Sequence, residues 1–221
     1  NRLLRSYHHG VSDDLYAVVR HVISACAPQT LALVGFSLGG NVIMKYLGEK
    51  IFPIPKELRC GVGISVPCDL EGCAERLAEK RNAFYQRYFF RLLRRKVQAK
   101  MALFPGQIDD RAYDTIRNFR EHDDLYTAPL HGFKNALDYW HTAACGRYLE
   151  EIRVPALIIN AADDPFLSER SYPKAQASTN EHLFLEIPHH GGHCGFVTFN
   201  GTGEYWVERR SASFLEMYEP T

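Results

Sequence analysis

The stretch Leu31-Ala32-Leu33-Val34-Gly35-Phe36-Ser37-Leu38-Gly39-Gly40-Asn41 decides how this chain folds. It starts as an apolar run typical of a buried strand and continues into a helical pattern. A Gly-x-Ser-x-Gly sequence at such a junction predicts a tight, strained turn that presents the hydroxyl of Ser37 above a sheet. We expect small residues at Gly35 and Gly39 to let the strand and the helix pack closely.

The first residue of the predicted helix gives this turn a second property. The backbone N–H of Leu38 is expected to point at an oxyanion formed beside Ser37, aided by the helix dipole. The alternative interpretation is a glycine-rich turn with an ordinary surface serine. The apolar run before it and the helical pattern after it favour the first interpretation.

The composition indicates one globular domain. The chain has 221 residues, of which 46% are hydrophobic, and its 26 basic and 26 acidic residues give a formal net charge of zero. A neutral chain gives no electrostatic reason to expect nucleic acid as a partner. The six cysteines form no CxxC pair, which favours reduced thiols and a cytoplasmic location.

No apolar run reaches the roughly 20 residues of a membrane span, and no signal peptide opens the chain. The first residue is Asn1 rather than methionine, so the sequence leaves open a targeting segment ahead of it.

Short apolar runs predict four strands, near residues 31–36, 60–66, 156–160 and 182–187. Helical patterns lie between them, which is typical of a mostly parallel sheet. From Asp69 to Glu151 the pattern is helical without a convincing strand, which predicts a helical cap insertion over residues 69–151. The segment 127–133 reads as a loop between two cap helices.

One predicted cap helix, over residues 82–100, is basic and amphipathic. Its apolar residues recur at helical spacing beside Arg87, Arg91, Arg94, Arg95, Lys96 and Lys100. A solvated basic face is the preferred interpretation. A peripheral contact with an anionic membrane surface, or attraction of an anionic substrate, stays open.

A serine hydroxyl needs a base to become a nucleophile, and the base needs an orienting carboxylate. The strand-end loop Asp163-Asp164-Pro165 offers the acid, and His193 after the next strand offers the base. Both follow the ends of predicted parallel strands, so we expect them to meet Ser37 at one edge of the sheet. Asp164 is preferred as the acid and Asp163 stays an alternative.

Other nearby side chains allow other interpretations. His189 and His190 lie closer to the strand end than His193, which makes His193 the better base. Three histidines within five residues suggest a metal site, but the local sequence lacks the acidic partners and spacing of a zinc site. Cys194 is expected to be a small buried thiol rather than a nucleophile.

On its motifs the chain resembles the YheT-like branch of the α/β-hydrolases. The resemblance rests on NRLLRSYH at 1–8, GFSLGGN at 35–41, SVPCDL at 65–70, TAPLHGF at 127–133, NAADDPF at 160–166 and GGHCGF at 191–196. It implies a catalytic triad of Ser37, Asp164 and His193, with Ala161 where such hydrolases often have glycine. Cys194 stands where the family more often has an aliphatic residue.

The resemblance also implies an eight-stranded α/β-hydrolase sheet, whereas the sequence predicts four strands. We therefore expect residues 1–221 to form the C-terminal portion of a single α/β-hydrolase domain, truncated at its N-terminus. The absent part would supply a second oxyanion N–H, and without it the strand at Leu31–Val34 becomes an exposed edge.

The sequence thus predicts a carboxylesterase that acts on a small-molecule or lipid ester through an acyl-enzyme. The catalytic residues are Ser37, Asp164 and His193, with the Leu38 N–H as oxyanion donor and with no cofactor and no metal. Acyl transfer to an alcohol and lipid ester cleavage at a membrane are the alternative reactions, and a non-catalytic interaction module is the alternative from another class. The acyl chain, the alcohol and the oligomeric state cannot be derived from the sequence.

Overall fold

The computed structural model describes residues 2–199, 201 and 203–219. Positions 1, 200, 202, 220 and 221 of the predicted domain lie outside the described residues, and so does Asn1 of the first motif.

The described residues form one four-stranded sheet, of strands β1 (Leu31–Phe36), β2 (Leu58–Ile64), β3 (Ala156–Ile159) and β4 (Leu183–Glu186). The strands lie in the order β1-β2-β3-β4, and each pair is parallel. The predicted parallel sheet is confirmed. Because all four strands run the same way, the loops that follow them meet at one edge.

The α-helices are α1 (Ser12–Cys26), α2 (Leu38–Gly48), α3 (Leu70–Ala78), α4 (Ala83–Leu103), α5 (Phe119–His122), α6 (Ala128–His131), α7 (Ala136–Ala143), α8 (Lys174–Thr179) and α9 (Trp206–Glu216). Short 3-10 helices span Lys80–Asn82, Tyr113–Thr115, Cys145–Glu151 and Glu169–Ser171, and a π-helical turn spans Asp123–Thr127.

The sheet has a hydrophobic layer on each side because strand side chains alternate between its faces. On one face Val62, Ile64 and Ile159 pack with α9. On the other face β2 presents Gly61 and Gly63. A Cβ at Gly63 would lie 2.6 Å from Val66 Cγ2 and 3.1 Å from Met44 Cε. The glycines therefore let α2 lie directly against the sheet.

Strand β1 lies at one edge of the sheet, as expected from the sequence. Its side chains of Val34 and Phe36 are each 46% exposed, although both are large and apolar. Among the described residues no strand pairs with its free side. Whether the domain is truncated ahead of β1 stays a prediction.

Residues 69–151 contain helices and turns without a strand. Two small hydrophobic clusters hold them, one around Tyr139 and Trp140 and the other around Val97 and Tyr126. The last 3-10 helix of this segment, Cys145–Glu151, packs into the main hydrophobic core with α2 instead. The extent of a separate cap over 69–151 stays a prediction.

The segment 127–133 is wrongly predicted as a loop. The π-helical turn runs directly into α6, because Thr127 and Ala128 both keep helical backbone angles. The Thr127 hydroxyl also donates a hydrogen bond to the Asp123 carboxylate (2.6 Å). The helix stops at Gly132, whose φ of 77° only glycine adopts easily.

Within the described residues, no helix combines the length and the hydropathy needed to cross a bilayer.

Candidate active site

Ser37 occupies the turn between β1 and α2 with φ 50° and ψ −116°, a conformation that costs an L-residue free energy. A Cβ on Gly35 would lie 2.6 Å from the backbone carbon of Gly39, so only glycine fits at Gly35. The expectation that Gly39 also needs a small side chain is wrong, because a Cβ there would meet nothing within 4 Å. The second close approach is at Gly40, where a Cβ would lie 2.9 Å from Val66 Cγ2.

The structure brings Ser37, Asp164 and His193 together. The Nε2 atom of His193 lies 3.0 Å from Ser37 Oγ, and its Nδ1 atom lies 2.9 Å from Asp164 Oδ2. A carboxylate accepts but does not donate, so Nδ1 carries the proton toward Asp164. In the neutral ring, Nε2 is then the acceptor for the Ser37 hydroxyl.

The two aspartates of the acid loop have different partners. Asp164 is buried, faces His193, and accepts the N–H of Phe166 at 2.9 Å. Asp163 accepts the N–H groups of Gly191 and Gly192 at 2.9 and 2.8 Å. Asp163 therefore holds the loop that carries His193 and does not contact its ring.

His189 and His190 are exposed, and the His190 ring approaches the Asp163 carboxylate at 3.4 Å. No group of three or more histidine, cysteine, aspartate or glutamate side chains is arranged to hold a metal ion within the part of the chain that the structure describes.

The environment of His193 favours its protonated form. Burial acts to lower its pKa, but the hydrogen bond with Asp164 and the interaction with the Cys194 thiol outweigh burial and raise the pKa of His193 to about 9. Cys194 itself is half-buried rather than buried as expected. A protonated imidazole ring at His193 is therefore stabilised in place.

Two contacts of the histidine loop escaped the sequence analysis. The buried Ser65 hydroxyl accepts the N–H of Cys194 at 3.1 Å and fixes the position next to His193. The ring of Phe166 lies 4.4 Å from the His193 ring, centroid to centroid. Ser65 directly follows β2, so its place at the strand end is the signal that could have found it.

Two buried asparagines hold the segments around the site together. The Asn160 amide bridges to both backbone groups of Val66, at 2.7 and 3.0 Å, and so joins the ends of β2 and β3. The Asn41 amide donates to the carbonyls of His9 and Ala143 and accepts from Cys145 N–H. These bonds fix α2 against the helical segment around the site. A polar residue within an apolar run is the sequence signal that could have found both asparagines.

The backbone N–H of Leu38 makes no hydrogen bond to the residues that the structure describes. As the first N–H of α2 it lies at the positive end of the helix dipole, directly beside Ser37. It is therefore available to a ligand atom near the serine.

A family model described as alpha/beta hydrolase fold matches residues 4–199. The Escherichia coli protein named "Putative esterase YheT" is 34% identical over 223 residues, which cover 99% of this chain and 64% of that protein. The mouse protein named monoacylglycerol lipase ABHD2 is 34% identical over 215 residues, covering 87% of this chain and 48% of that protein. The chain thus spans less than two thirds of the length of these curated relatives.

Among solved structures, the esterase Pf2001 of Pyrococcus furiosus matches with a TM-score of 0.56 and 17% identity, covering 97% of this chain and 65% of that one. At this identity the likeness concerns the fold.

Proposed function

The chain belongs to the α/β-hydrolase family, and from that premise we propose that it is a serine hydrolase that cleaves carboxylic esters through an acyl-enzyme. The observation that carries the proposal is the unbroken hydrogen-bonded series from Ser37 through His193 to the buried Asp164, at 3.0 and 2.9 Å. A nucleophile, a base within reach of it and an orienting carboxylate are what acyl transfer needs.

In the proposed first step, Ser37 Oγ attacks the ester carbonyl carbon while His193 Nε2 takes the hydroxyl proton. The carbonyl oxygen becomes an oxyanion, which accepts a hydrogen bond from the Leu38 N–H. The bond to the alcohol oxygen then breaks, and the alcohol leaves with the proton from His193. The acyl group stays on Ser37 as an ester.

In the second step, a water molecule gives a proton to His193 Nε2 and attacks the acyl carbon. Collapse of the new oxyanion breaks the bond to Ser37 Oγ, which recovers the proton from His193. Asp164 holds Nδ1–H throughout, so the ring keeps one orientation in both steps.

We propose that the ester belongs to a lipid. The relative named as monoacylglycerol lipase supports this substrate class. The natural substrate would then carry a longer acyl chain than a small ester that is soluble in water.

The test is acyl-enzyme formation with p-nitrophenyl acetate, followed by release of p-nitrophenolate and by intact mass. We expect one acetyl group on the chain, mapped to Ser37, and none on Ser37→Ala. Ser178→Ala is the matched control, because Ser178 is exposed on α8 and its hydroxyl, among the described residues, bonds only to the Ala175 carbonyl. An acetyl group that persists in Ser37→Ala, or that never forms on the chain, would overturn the proposal.

A further inference from the structure

Helix α4 presents one face to solvent that mixes aromatic and basic side chains. With 3.6 residues per turn, Phe84, Tyr88, Arg91 and Arg95 fall on one stripe of the helix, and Arg87 lies beside it. Phe84 is 76% exposed and Tyr88 44%, and the three arginines are exposed as well. We call these five residues the α4 stripe.

The charge of this stripe is uncompensated. Helix α4 carries six basic residues and no acidic residue over 21 positions. Arg94, at the margin, pairs with Asp110 and Asp114. Within residues 2–199, 201 and 203–219, the structure gives Arg87, Arg91 and Arg95 no ion pair, and the Arg91 guanidinium instead lies over the Tyr88 ring at 5.4 Å.

The exposed aromatic rings separate this stripe from an ordinary solvated basic face. A Phe side chain that is mostly exposed among arginines gains nothing from water, whereas at a bilayer surface the ring enters the headgroup region and the arginines meet anionic lipid. The opposite face of α4 is occupied, since Val97 and Leu93 pack in the cap cluster with Tyr126. The stripe is therefore available without unfolding the helix.

The same helix reaches the candidate active site from its first turns. The Asn82 amide, just before α4, donates to the Pro165 carbonyl in the acid loop at 2.8 Å. The rings of Tyr85 and Phe89 lie 4.9 and 5.8 Å from the ring of Phe166. Phe166 in turn contacts His193, so α4 is connected to the candidate site through a single aromatic ring.

We propose that the α4 stripe docks the chain on an anionic bilayer surface, so that the site takes its ester directly from the membrane. The substrate half of this inference rests on the proposed function, whereas the docking half does not. Each Lys or Arg near such a surface is attracted to anionic lipid, and the attraction acts only within a Debye length.

The test measures partitioning of the chain onto vesicles of phosphatidylcholine with phosphatidylglycerol, and onto vesicles of phosphatidylcholine alone. We expect binding to the anionic vesicles only, and a large decrease of that binding as salt is raised. Arg91→Glu with Arg95→Glu is expected to lower the partition coefficient by roughly tenfold or more. Phe84→Ser is expected to weaken the binding that remains at high salt.

The matched control is Lys174→Glu with Arg209→Glu, which makes the same change in net charge on α8 and α9. Both side chains are exposed, and neither makes an ion pair among the described residues. This control is expected to bind like the unchanged chain, with circular dichroism showing that both double variants are folded. The proposal would be overturned if both double variants lost vesicle binding equally, or if the unchanged chain bound neutral and anionic vesicles equally. Binding to an oligonucleotide but not to anionic vesicles would also overturn it.

Two esters separate docking from catalysis. Charge reversal at Arg91 and Arg95 is expected to leave hydrolysis of p-nitrophenyl acetate in solution unchanged and to slow hydrolysis of an ester held in anionic vesicles. Equal rates on the vesicle ester would contradict delivery from the membrane. Failure to react with the soluble ester would contradict the proposed function, while the vesicle binding would still report on the stripe.

Discussion

The ring of Phe166 packs against the ring of His193 with the centroids 4.4 Å apart and the planes at 46°. Phe166 is nearly buried, and its other neighbours are Tyr85 and Phe89 of helix α4. A single aromatic side chain thus fills the space between the cap segment and the proposed base. We propose that Phe166 is a positioning residue, which would act on the reacting atoms through His193.

Phe166→Ala is therefore expected to lower kcat roughly 10- to 100-fold, because small displacements of a reacting group are costly. Water admitted beside His193 would also weaken the desolvation that now lowers its pKa, so the acid limb of the pH profile should move to higher pH. Steady-state kinetics across pH measure both effects. Phe166→Leu should restore most of kcat, and an alanine variant with unchanged kcat and pH profile would show that the contact is only packing.

Asp164→Asn is expected to lower kcat by roughly 10⁴-fold, because the ring loses its anionic partner and the tautomer that the serine needs. The pKa of His193 should fall, since the bond that offsets its burial is weakened. Asp163→Asn is the matched control, because an amide oxygen can still accept from Gly191 and Gly192. If the two substitutions reduced kcat equally, the carboxylate at Asp164 would have no special role.

The pH dependence follows from the raised pKa of His193. The proposed base must be neutral, so kcat/KM should rise with pH and level off above about 9, the pKa of the histidine in the folded chain. A pH profile with a soluble ester measures this limb. A limb centred near the ordinary histidine value would contradict the strong pairing with Asp164.

The same shift affects stability with a definite sign. The folded chain binds the His193 proton more tightly than the unfolded chain, so this contribution is complete below pH 6.5 and is lost as pH rises through about 9. Urea unfolding at a series of pH values should show a smaller decline over this range in His193→Gln than in the unchanged chain.

Gly35→Ala is expected to destabilise the fold by more than the roughly 1–3 kcal/mol of ordinary overpacking, because the new Cβ would meet rigid backbone at 2.6 Å. Gly39→Ala is the control, since its Cβ would meet nothing within 4 Å. Thermal unfolding of the two variants compares them. Equal melting temperatures would contradict the packing described at this turn.

The sequence predicted the framework because strand and helix periods are local. The four strands, the turn at Ser37 and the order of serine, acid and base all follow from short apolar runs and from the residues at their ends. Proximity of Ser37, Asp164 and His193 could be expected, because parallel strands bring their following loops to one edge.

What the sequence did not predict depends on tertiary packing. The close approach at Gly40 instead of Gly39, the support of the histidine loop by Ser65 and Asp163, and the half-burial of Cys194 arise where distant segments meet. Helix α6 was also missed, although it is a local element, and it contains Pro129, a residue type typical of turns. Proline is tolerated there because it occupies the first turn of the helix.

The measurement that tests the proposed site most directly is labelling with a fluorophosphonate probe, which reacts covalently with an activated serine. We expect the unchanged chain and Ser178→Ala to be labelled, Ser37→Ala to remain unlabelled, and His193→Gln to react far more slowly. The labelled peptide should contain Ser37. Labelling that survives in Ser37→Ala, or a chain that the probe never labels, would contradict the assignment of Ser37 as the nucleophile.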